Sequence, residues 1–296
     1  MKVLPSLFSG RLLASLLYAL MLSAVLLYVR FPTDKFKVFC ENRLAMLLSV
    51  EVCTIERINY NFPLTLNFDG IRISRGSGSH QKGFFIDNLL IAVTPQSLGK
   101  TSFVSAALYG GQVSLRLETD FAGQTLRMQG INLTGLRLAD LVQGPLVIDR
   151  KIEGIATFAG DYQAGFVDLM GGVGKGQVTI KEGNIDLLQP VLSLRRIDFT
   201  EAVCTLQYEN RKIEIAEGKL QGKDVTAEFS GEFRLGPSLA NTEWQLGGSL
   251  LPSAVFLQTY PREARMVQAL MQSYAMTALP FKVGGTLKNP TVRFGL

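Results

Sequence analysis

The chain has 296 residues, of which 47% are hydrophobic and only 19% are charged, with a formal net charge of +5. Because about a quarter of the residues of a soluble domain are normally charged, this composition is shifted toward apolar residues. The lysines and arginines are scattered without a basic run, which argues against nucleic-acid binding.

The first predicted element is a membrane anchor within residues 1–31. Arg11 and Arg30 enclose a run without charge, residues 12–29, which is nearly long enough as a helix to cross a hydrocarbon core of about 30 Å. A cleavable signal peptide is the alternative, but the run is long and no small-residue cleavage site follows it. The anchor residues named by this pattern are Leu12, Leu16, Leu20, Leu26 and Val29.

The orientation of this anchor does not follow from charge. Lys2 and Arg11 precede the run, whereas Arg30, Lys35 and Lys37 follow it, so the positive-inside rule does not decide. A very short tail before the run and a large domain after it are typical of a signal anchor. We therefore expect a single-pass protein whose large following domain is exported across the membrane.

Residues 32–49 predict an amphipathic helix. Pro32, Thr33 and Asp34 form a helix start, and apolar residues from Phe36 onward recur at roughly helical spacing. Such a helix caps the layer that follows or lies on lipid. Cys40 in this helix and Cys53 after it are read as small buried residues, although a disulfide between them stays open.

Residues 50–296 predict a β-rich domain, because the hydrophobic period changes to two. Segments such as "VTIKEG" and "CTLQYENRKIEI" alternate apolar with polar residues and are separated by short turns, which is typical of antiparallel meanders. The apolar residues expected on one concave or internal, groove-lining face are Val178, Ile180, Leu206, Tyr208, Ile213, Ile215, Phe229, Phe233, Trp244 and Leu246.

Two stretches interrupt the predicted strands. Residues 184–194 are read as a short helix or turn broken at Pro190, and a helical insertion is expected near 251–278. Pro261 divides that insertion, so two helices are expected there. The few helices cannot cover all the predicted strands, and an exposed apolar sheet face is unstable in water. We therefore expect the sheet to close, to fold over on itself or to be covered by a partner or lipid.

The phrases "WQLGGSL" from Trp244 and "FKVGGTL" from Phe281 repeat one pattern. A repetitive sheet explains such a repeat, with the second phrase near its last strand. The Gly-Gly pairs predict bulges or points of sharp curvature.

The sequence contains no complete phosphate-binding, metal-binding or catalytic motif. "GGVGKGQVT" lacks the Ser or Thr that must follow Gly-Lys in a phosphate loop, and it leads into a strand. The only histidine, His80, lies in a Gly/Ser-rich loop, and the cysteines have no metal-site spacing. Asp198 and Glu201 are read as solvated carboxylates. We expect no catalytic residue, no cofactor and no metal, and therefore a protein that is not an enzyme.

The chain resembles the AsmA/TamB-like proteins of Gram-negative envelopes. The segments that carry the resemblance are the anchor 12–29, "KGQVTIKEG" at 175–183, "KLQGKDVTAEFSGEFRL" at 219–235 and "VGGTLKNPTVRF" at 283–294. Within that group, its length and the helix before the closing Gly-Gly-Thr-Leu-Lys-Asn-Pro look like the protein N family of the type II secretion system (GspN).

The resemblance implies an inner-membrane anchor and a periplasmic sheet folded over into a β-taco-like groove. The function it implies is that of a non-catalytic accessory component of the type II protein secretion system, in contact with other secretion-system or envelope proteins. The alternative is a lipid-binding or lipid-transfer protein, because larger relatives are thought to conduct lipids along the groove. The partners expected are the inner membrane, envelope proteins and phospholipid acyl chains, with no nucleic acid.

Overall fold

The computed structural model describes residues 10–29, 32–48, 52–61, 64–74, 83–94, 100–142, 151–191, 194–236, 242–273, 277–286 and 289–294. His80 lies outside these residues. The described helices are α1 (Gly10–Val29), α2 (Thr33–Leu48), α3 (Leu138–Leu141), α4 (Ala254–Thr259) and α5 (Pro261–Ser273). No described helix combines the length and the hydropathy needed to cross a membrane.

The protein is mainly β, and its strands form one long open antiparallel sheet in which spatial order follows chain order from first to last. The first seven strands are β1 (Val52–Asn61), β2 (Thr65–Ser74), β3 (Phe84–Val93), β4 (Thr101–Leu108), β5 (Gly111–Asp120), β6 (Thr125–Arg137) and β7 (Ile152–Gly165). The remaining seven are β8 (Val173–Val191), β9 (Leu194–Glu209), β10 (Lys212–Gly222), β11 (Val225–Arg234), β12 (Glu243–Pro252), β13 (Leu279–Gly285) and β14 (Pro290–Phe294).

The expectation of a helix or turn at 184–194 is wrong. Residues up to Val191 continue β8, and β9 begins at Leu194. Pro190 is tolerated because the register of β8 against β9 shifts between Asp186 and Val191, so the ladder is already irregular where the proline N–H is missing. A proline in the regular part of an interior strand would cost a ladder hydrogen bond.

The Gly-Gly pair of β12 forms no bulge. Gly247 and Gly248 pair with Ser230 and Phe229 of β11 in an unshifted register. A Cβ at Gly248 would collide with the Phe229 backbone, whereas one at Gly247 would meet nothing within 4 Å. The two repeated phrases lie side by side as β12 and β13, with Leu246 opposite Val283.

Two hydrophobic clusters lie near opposite ends of the sheet. At the first end, Phe36, Cys40 and Leu44 of α2 pack against buried residues of β1 and β2, among them Ile55 and Ile71. At the other end, Phe256 of α4 is fully buried against residues that include Leu194, Val225 and Leu250.

Each of the two helices α4 and α5 begins at a residue type that favours a helix N-terminus. Ser253 caps α4, since its Oγ accepts a hydrogen bond from the Phe256 N–H at 3.1 Å. α5 begins at Pro261, where the missing N–H is not needed.

Candidate functional site: an apolar face with a cavity

The register joins the apolar residues of successive strands into one face. Residues directly opposite each other on antiparallel strands have side chains on the same side of the sheet. Tyr208 is opposite Ile213, Ile213 is opposite Phe233, and Phe233 is opposite Trp244, so one row crosses four strands. The same face continues to β13 through Leu246 and its partner Val283. We call this surface the apolar face.

Every groove-lining residue predicted from the sequence lies on the apolar face. Leu206 is opposite Ile215, and Phe229 is opposite Gly218, which is also opposite Cys204. Val178 and Ile180 of β8 are opposite Cys204 and Ala202 of β9, which lie on the same side of that strand as Leu206. Ile215 is buried and the others are half-buried. The side chains of this set therefore share one side of the sheet, over five consecutive strands.

A cavity of about 910 Å³ lies on the apolar face near the end of the sheet. It is bounded by strands of the sheet and by α5, and its lining is mostly aliphatic and aromatic. Its residues include Ile185, Leu187, Ile197, Leu220, Val225, Phe229, Trp244, Leu246, Leu250, Met266, Phe281, Val283, Val292 and Phe294. Ligand pockets in proteins commonly have volumes of about 300–1,000 Å³ and apolar walls, so this cavity has the size and lining of a binding site.

The cavity contains only part of the predicted set. Phe229, Trp244 and Leu246 line it, whereas the other predicted residues lie on the apolar face outside its lining. Met266 of α5 belongs to the cavity but was not predicted, because a helix that follows a strand in sequence gives no signal of the strand it will cover.

The polar groups of the cavity are few. Arg262 and Glu263, in the first turn of α5, line it together with Asn289 and Thr291 at its margin. Arg262 is exposed, so its guanidinium can meet an anionic group while the rest of a ligand occupies the apolar space. Glu263 is the one carboxylate among the described lining residues, and one carboxylate with an arginine does not form an acid–base pair of the kind hydrolysis uses.

Trp244 has an unusual environment within this lining. Its ring packs against Phe233 with centroids 5.8 Å apart, and its Nε1 is buried with no hydrogen-bond acceptor among the described residues. A buried donor without an acceptor costs stability. The indole is therefore placed by packing of its ring and not by its N–H.

Tyr208 also fixes a loop at the other end of the strands. The hydroxyl groups of Tyr162 and Tyr208 donate to the carbonyls of Leu169 and Met170, in the loop between β7 and β8. The two rings meet edge to face at 5.5 Å, and burial followed by the nearby Tyr208 raises the pKa of Tyr162. This loop is thereby tied to the apolar face while Val167 remains 91% exposed.

The remaining candidates for chemistry lie away from the cavity lining. Asp198 accepts a hydrogen bond from Arg196 at 2.7 Å, and Glu201 lies 4.0 Å from Lys181, so each carboxylate has its own cation. The described residues contain no group of three or more His, Cys, Asp or Glu side chains that could hold a metal ion.

The cysteines are free thiols in the structure. Cys53 is buried in the core beneath α2, and Cys40 packs against that core. Burial, and then the nearby Glu41 carboxylate, raises the pKa of both thiols. Thiols with raised pKa values are poor nucleophiles, so these two fit a packing role.

Comparison of the chain with family models, with curated proteins and with solved structures finds no match in any of the three. The fold and the cavity define the molecule as a long open antiparallel sheet whose apolar face carries a cavity.

Proposed function

We propose that this protein binds lipid acyl chains, without catalysis, in the cavity on its apolar face. The observation that carries the proposal is the cavity of about 910 Å³ with an aliphatic and aromatic lining. Burial of each methylene of an acyl chain contributes about 0.8 kcal/mol, so an extended chain is a favourable occupant of such a space. Strongly polar ligands would leave most of their hydrogen-bonding groups unsatisfied there.

Arg262 selects for an anionic head group in this proposal. It lies at the start of α5 beside the apolar lining, and its exposed guanidinium suits the planar geometry of a phosphate. A phospholipid would then place an acyl chain against Phe229 and Val283, with its phosphate near Arg262. In the complete form of the proposal, the sheet is curved and folded over into a groove, and the apolar face beyond the cavity continues the path for the chains.

Native mass spectrometry of the purified protein tests this proposal, with lipid extraction from the same sample. Met266 lines the cavity but is 52% exposed, so Met266→Glu places a carboxylate beside the cavity without emptying a core position. The matched control is Gln268→Glu, which adds the same charge at an exposed position of α5. We expect phospholipid bound to the wild type and to Gln268→Glu, and strongly reduced binding to Met266→Glu. Wild-type protein free of lipid, or equal loading of the two variants, would disprove the proposal.

The anchor and the location form a separate part of the proposal. Residues 12–29 carry no charge, and the leucines of α1 at positions 12, 16, 20 and 26 are exposed. These side chains need an apolar environment. We propose that the uncharged run 12–29 associates with the bacterial inner membrane and that the sheet lies in the periplasm. Full-length protein should then resist carbonate extraction, and a chain that begins at Thr33 should fold without membrane. A cytoplasmic reporter that is active when fused after Leu296 would reverse the orientation.

A role as an accessory component of the type II secretion system is the second candidate. The observation that favours protein contacts is the exposed apolar rim formed by Phe121, Val167 and Met170, in which the half-buried Phe166 packs against the Phe121 ring. Asp168 Oδ1 accepts hydrogen bonds from the Met170 and Gly171 N–H groups, so the exposure of Val167 is built into the loop. Val167→Asp should reduce secretion in intact cells while lipid loading is unchanged, whereas equal secretion would remove this candidate.

A further inference from the structure

The two edges of the sheet are not equivalent. At the first edge, α2 bonds to the outer side of β1: the Ile55 N–H donates to Glu41 Oε1 at 2.8 Å, and Lys37 Nζ donates to the Glu56 carbonyl at 3.4 Å. At the other edge, β14 pairs with β13 on one side and with no other element of the described chain. Unpaired edge strands are ready templates for another strand, and proteins usually protect them.

We propose that β14 is a docking strand for an extended segment of a partner protein, which alternates acidic and apolar residues and adds one further strand to the sheet. Recognition of this kind combines main-chain hydrogen bonds with side-chain preferences at alternate positions. The proposal does not depend on lipid binding, because it rests on main-chain pairing at the free edge and on cations of the polar face, although Val292 and Phe294 of β14 also line the cavity.

The acidic preference follows from two cations on the polar face. Lys282 of β13 is directly opposite Arg293 of β14, and neither forms an ion pair within the described residues. Like charges directly opposite each other are destabilising. Several other cations of the polar face have a carboxylate partner, as in the pair of Lys212 and Glu232 at 2.6 Å. An acidic residue on an added strand, next to Arg293, would supply the missing charge.

Space for that acidic side chain is present. A depression of about 560 Å³ lies on the polar face of the last three strands and is lined by Gln245, Gly247, Lys282 and Arg293 among others. Gly247 is opposite Lys282 and has no neighbour within 4 Å of its missing Cβ, so no side chain fills the depression at this position of β12. A carboxylate arriving from the edge can therefore reach the two cations.

The apolar preference follows from the other side of the same strand. Val292 and Phe294 belong to the apolar face and are 40% and 37% exposed. An added strand with apolar residues at alternate positions would cover these two side chains and continue the apolar face. The two faces of the sheet thus determine the sequence pattern of the added strand, which places acidic residues on the polar face and aliphatic residues on the apolar face.

A second copy of the chain fits this edge poorly. Antiparallel pairing of two β14 strands would bring Lys282 and Arg293 of both copies together on one face, which adds like charges to a site that already lacks a carboxylate. Pairing of β14 with β1 of another copy would have to displace the hydrogen bond that Glu41 accepts from the Ile55 N–H and the one that Lys37 donates to the Glu56 carbonyl. The charge at the edge therefore selects a different chain.

Two synthetic peptides test the proposal, one of alternating valine and glutamate and one of alternating valine and lysine. We expect the wild type to bind the glutamate peptide by fluorescence anisotropy and to show slower hydrogen exchange in residues 290–294 when the peptide is present. Arg293→Glu should weaken that binding roughly threefold to tenfold, the range expected for an exposed charge pair and its reversal. Lys282→Glu with Arg293→Glu should transfer the preference to the lysine peptide.

Three outcomes would overturn the proposal. Failure of the wild type to bind the glutamate peptide is one, and binding that ignores both charge reversals is the second. The third is a concentration-dependent dimer in analytical ultracentrifugation that slows exchange in the same residues, because the edge would then be occupied by a second copy. Met266→Glu, which removes lipid in the proposed function, should leave peptide binding intact, so failure of one proposal is distinguishable from failure of the other.

Discussion

The ring of Phe229 on β11 lies directly over the α-carbon of Gly218 on β10. The two residues are cross-strand partners, and a Cβ at Gly218 would lie 2.7 Å from both Cδ2 and Cζ of Phe229. Phe199 and its cross-strand partner Gly183 repeat the arrangement, and Phe158 contacts Gly176 from the diagonal position beside Gly160, the partner of Gly176. Glycine opposite an aromatic residue lets the ring lie flat against the strand and cover backbone that has no side chain of its own.

Gly218→Ala should destabilise the protein by about 1–3 kcal/mol, because the new methyl group forces the Phe229 ring out of its position. Chemical denaturation measures this change. Gly247→Ala is the matched control, since the same methyl group meets no atom within 4 Å and should change stability by less than about 0.5 kcal/mol. Equal losses in the two variants would show that backbone freedom, and not the aromatic contact, explains the glycine.

Phe229→Asp should lower stability by roughly 2 kcal/mol or more, since it places a charge on the apolar face. Glu228→Gln, at the next residue, changes an exposed position on the polar face and should be nearly silent. Thermal denaturation of both variants checks the assignment of faces. Similar losses for the two would mean that β11 does not present its side chains as described here.

Trp244→Phe should be neutral or stabilising by up to about 1 kcal/mol. The substitution removes a buried indole N–H that has no acceptor among the described residues, and it retains an aromatic ring against Phe233. Trp244→Ala removes the ring as well and should cost about 3 kcal/mol or somewhat less, because the site is half-buried. Unfolding in denaturant measures the free energy of unfolding of both variants. A loss in the phenylalanine variant similar to that in the alanine variant would indicate that the N–H has a partner after all.

Glu41→Ala should destabilise the first edge of the sheet by about 1–3 kcal/mol. The substitution leaves the Ile55 N–H without the oxygen that accepts its hydrogen bond at 2.8 Å. Glu41→Gln retains an amide oxygen at that position and should recover most of the loss. Hydrogen exchange of residues 52–61 reports on the edge directly, and unchanged exchange in the alanine variant would contradict the protective role assigned to α2.

Glu232 should contribute stability that depends on pH in the acid range. The hydrogen bond from Lys212, and then Arg234, lowers the pKa of Glu232 below its ordinary value of 4.5. The folded state therefore favours the carboxylate more than the unfolded chain does, so the contribution is present above pH 4.5 and is lost as the pH falls through the lowered pKa. Unfolding of Glu232→Gln should differ from wild type at pH 7 and converge with it at low pH. Glu209→Gln, at an exposed position, is the control, and a constant difference for Glu232→Gln across this range would contradict the assignment.

The sequence by itself determined which residues share a face wherever a strand is regular. Tyr208 and Ile213 alternate with polar neighbours, and the two-residue turn at Asn210 and Arg211 joins their strands, so local pattern is sufficient to predict an antiparallel pair. The break before Pro261 was also predictable, because a proline lacks the N–H that a continuing helix needs.

Only the tertiary structure decided where that alternation is interrupted and what covers it. In β10 the register shifts between Ile215 and Gly218, which keeps Leu220 on the apolar face although strict alternation from Ile215 would have turned it to the polar one. The hydrogen bonds of both neighbouring strands determine such a shift, and those strands are distant in sequence. The same holds for Met266 beside the cavity and for Glu41 at the edge of β1: each position results from packing between separate elements, which no local period encodes.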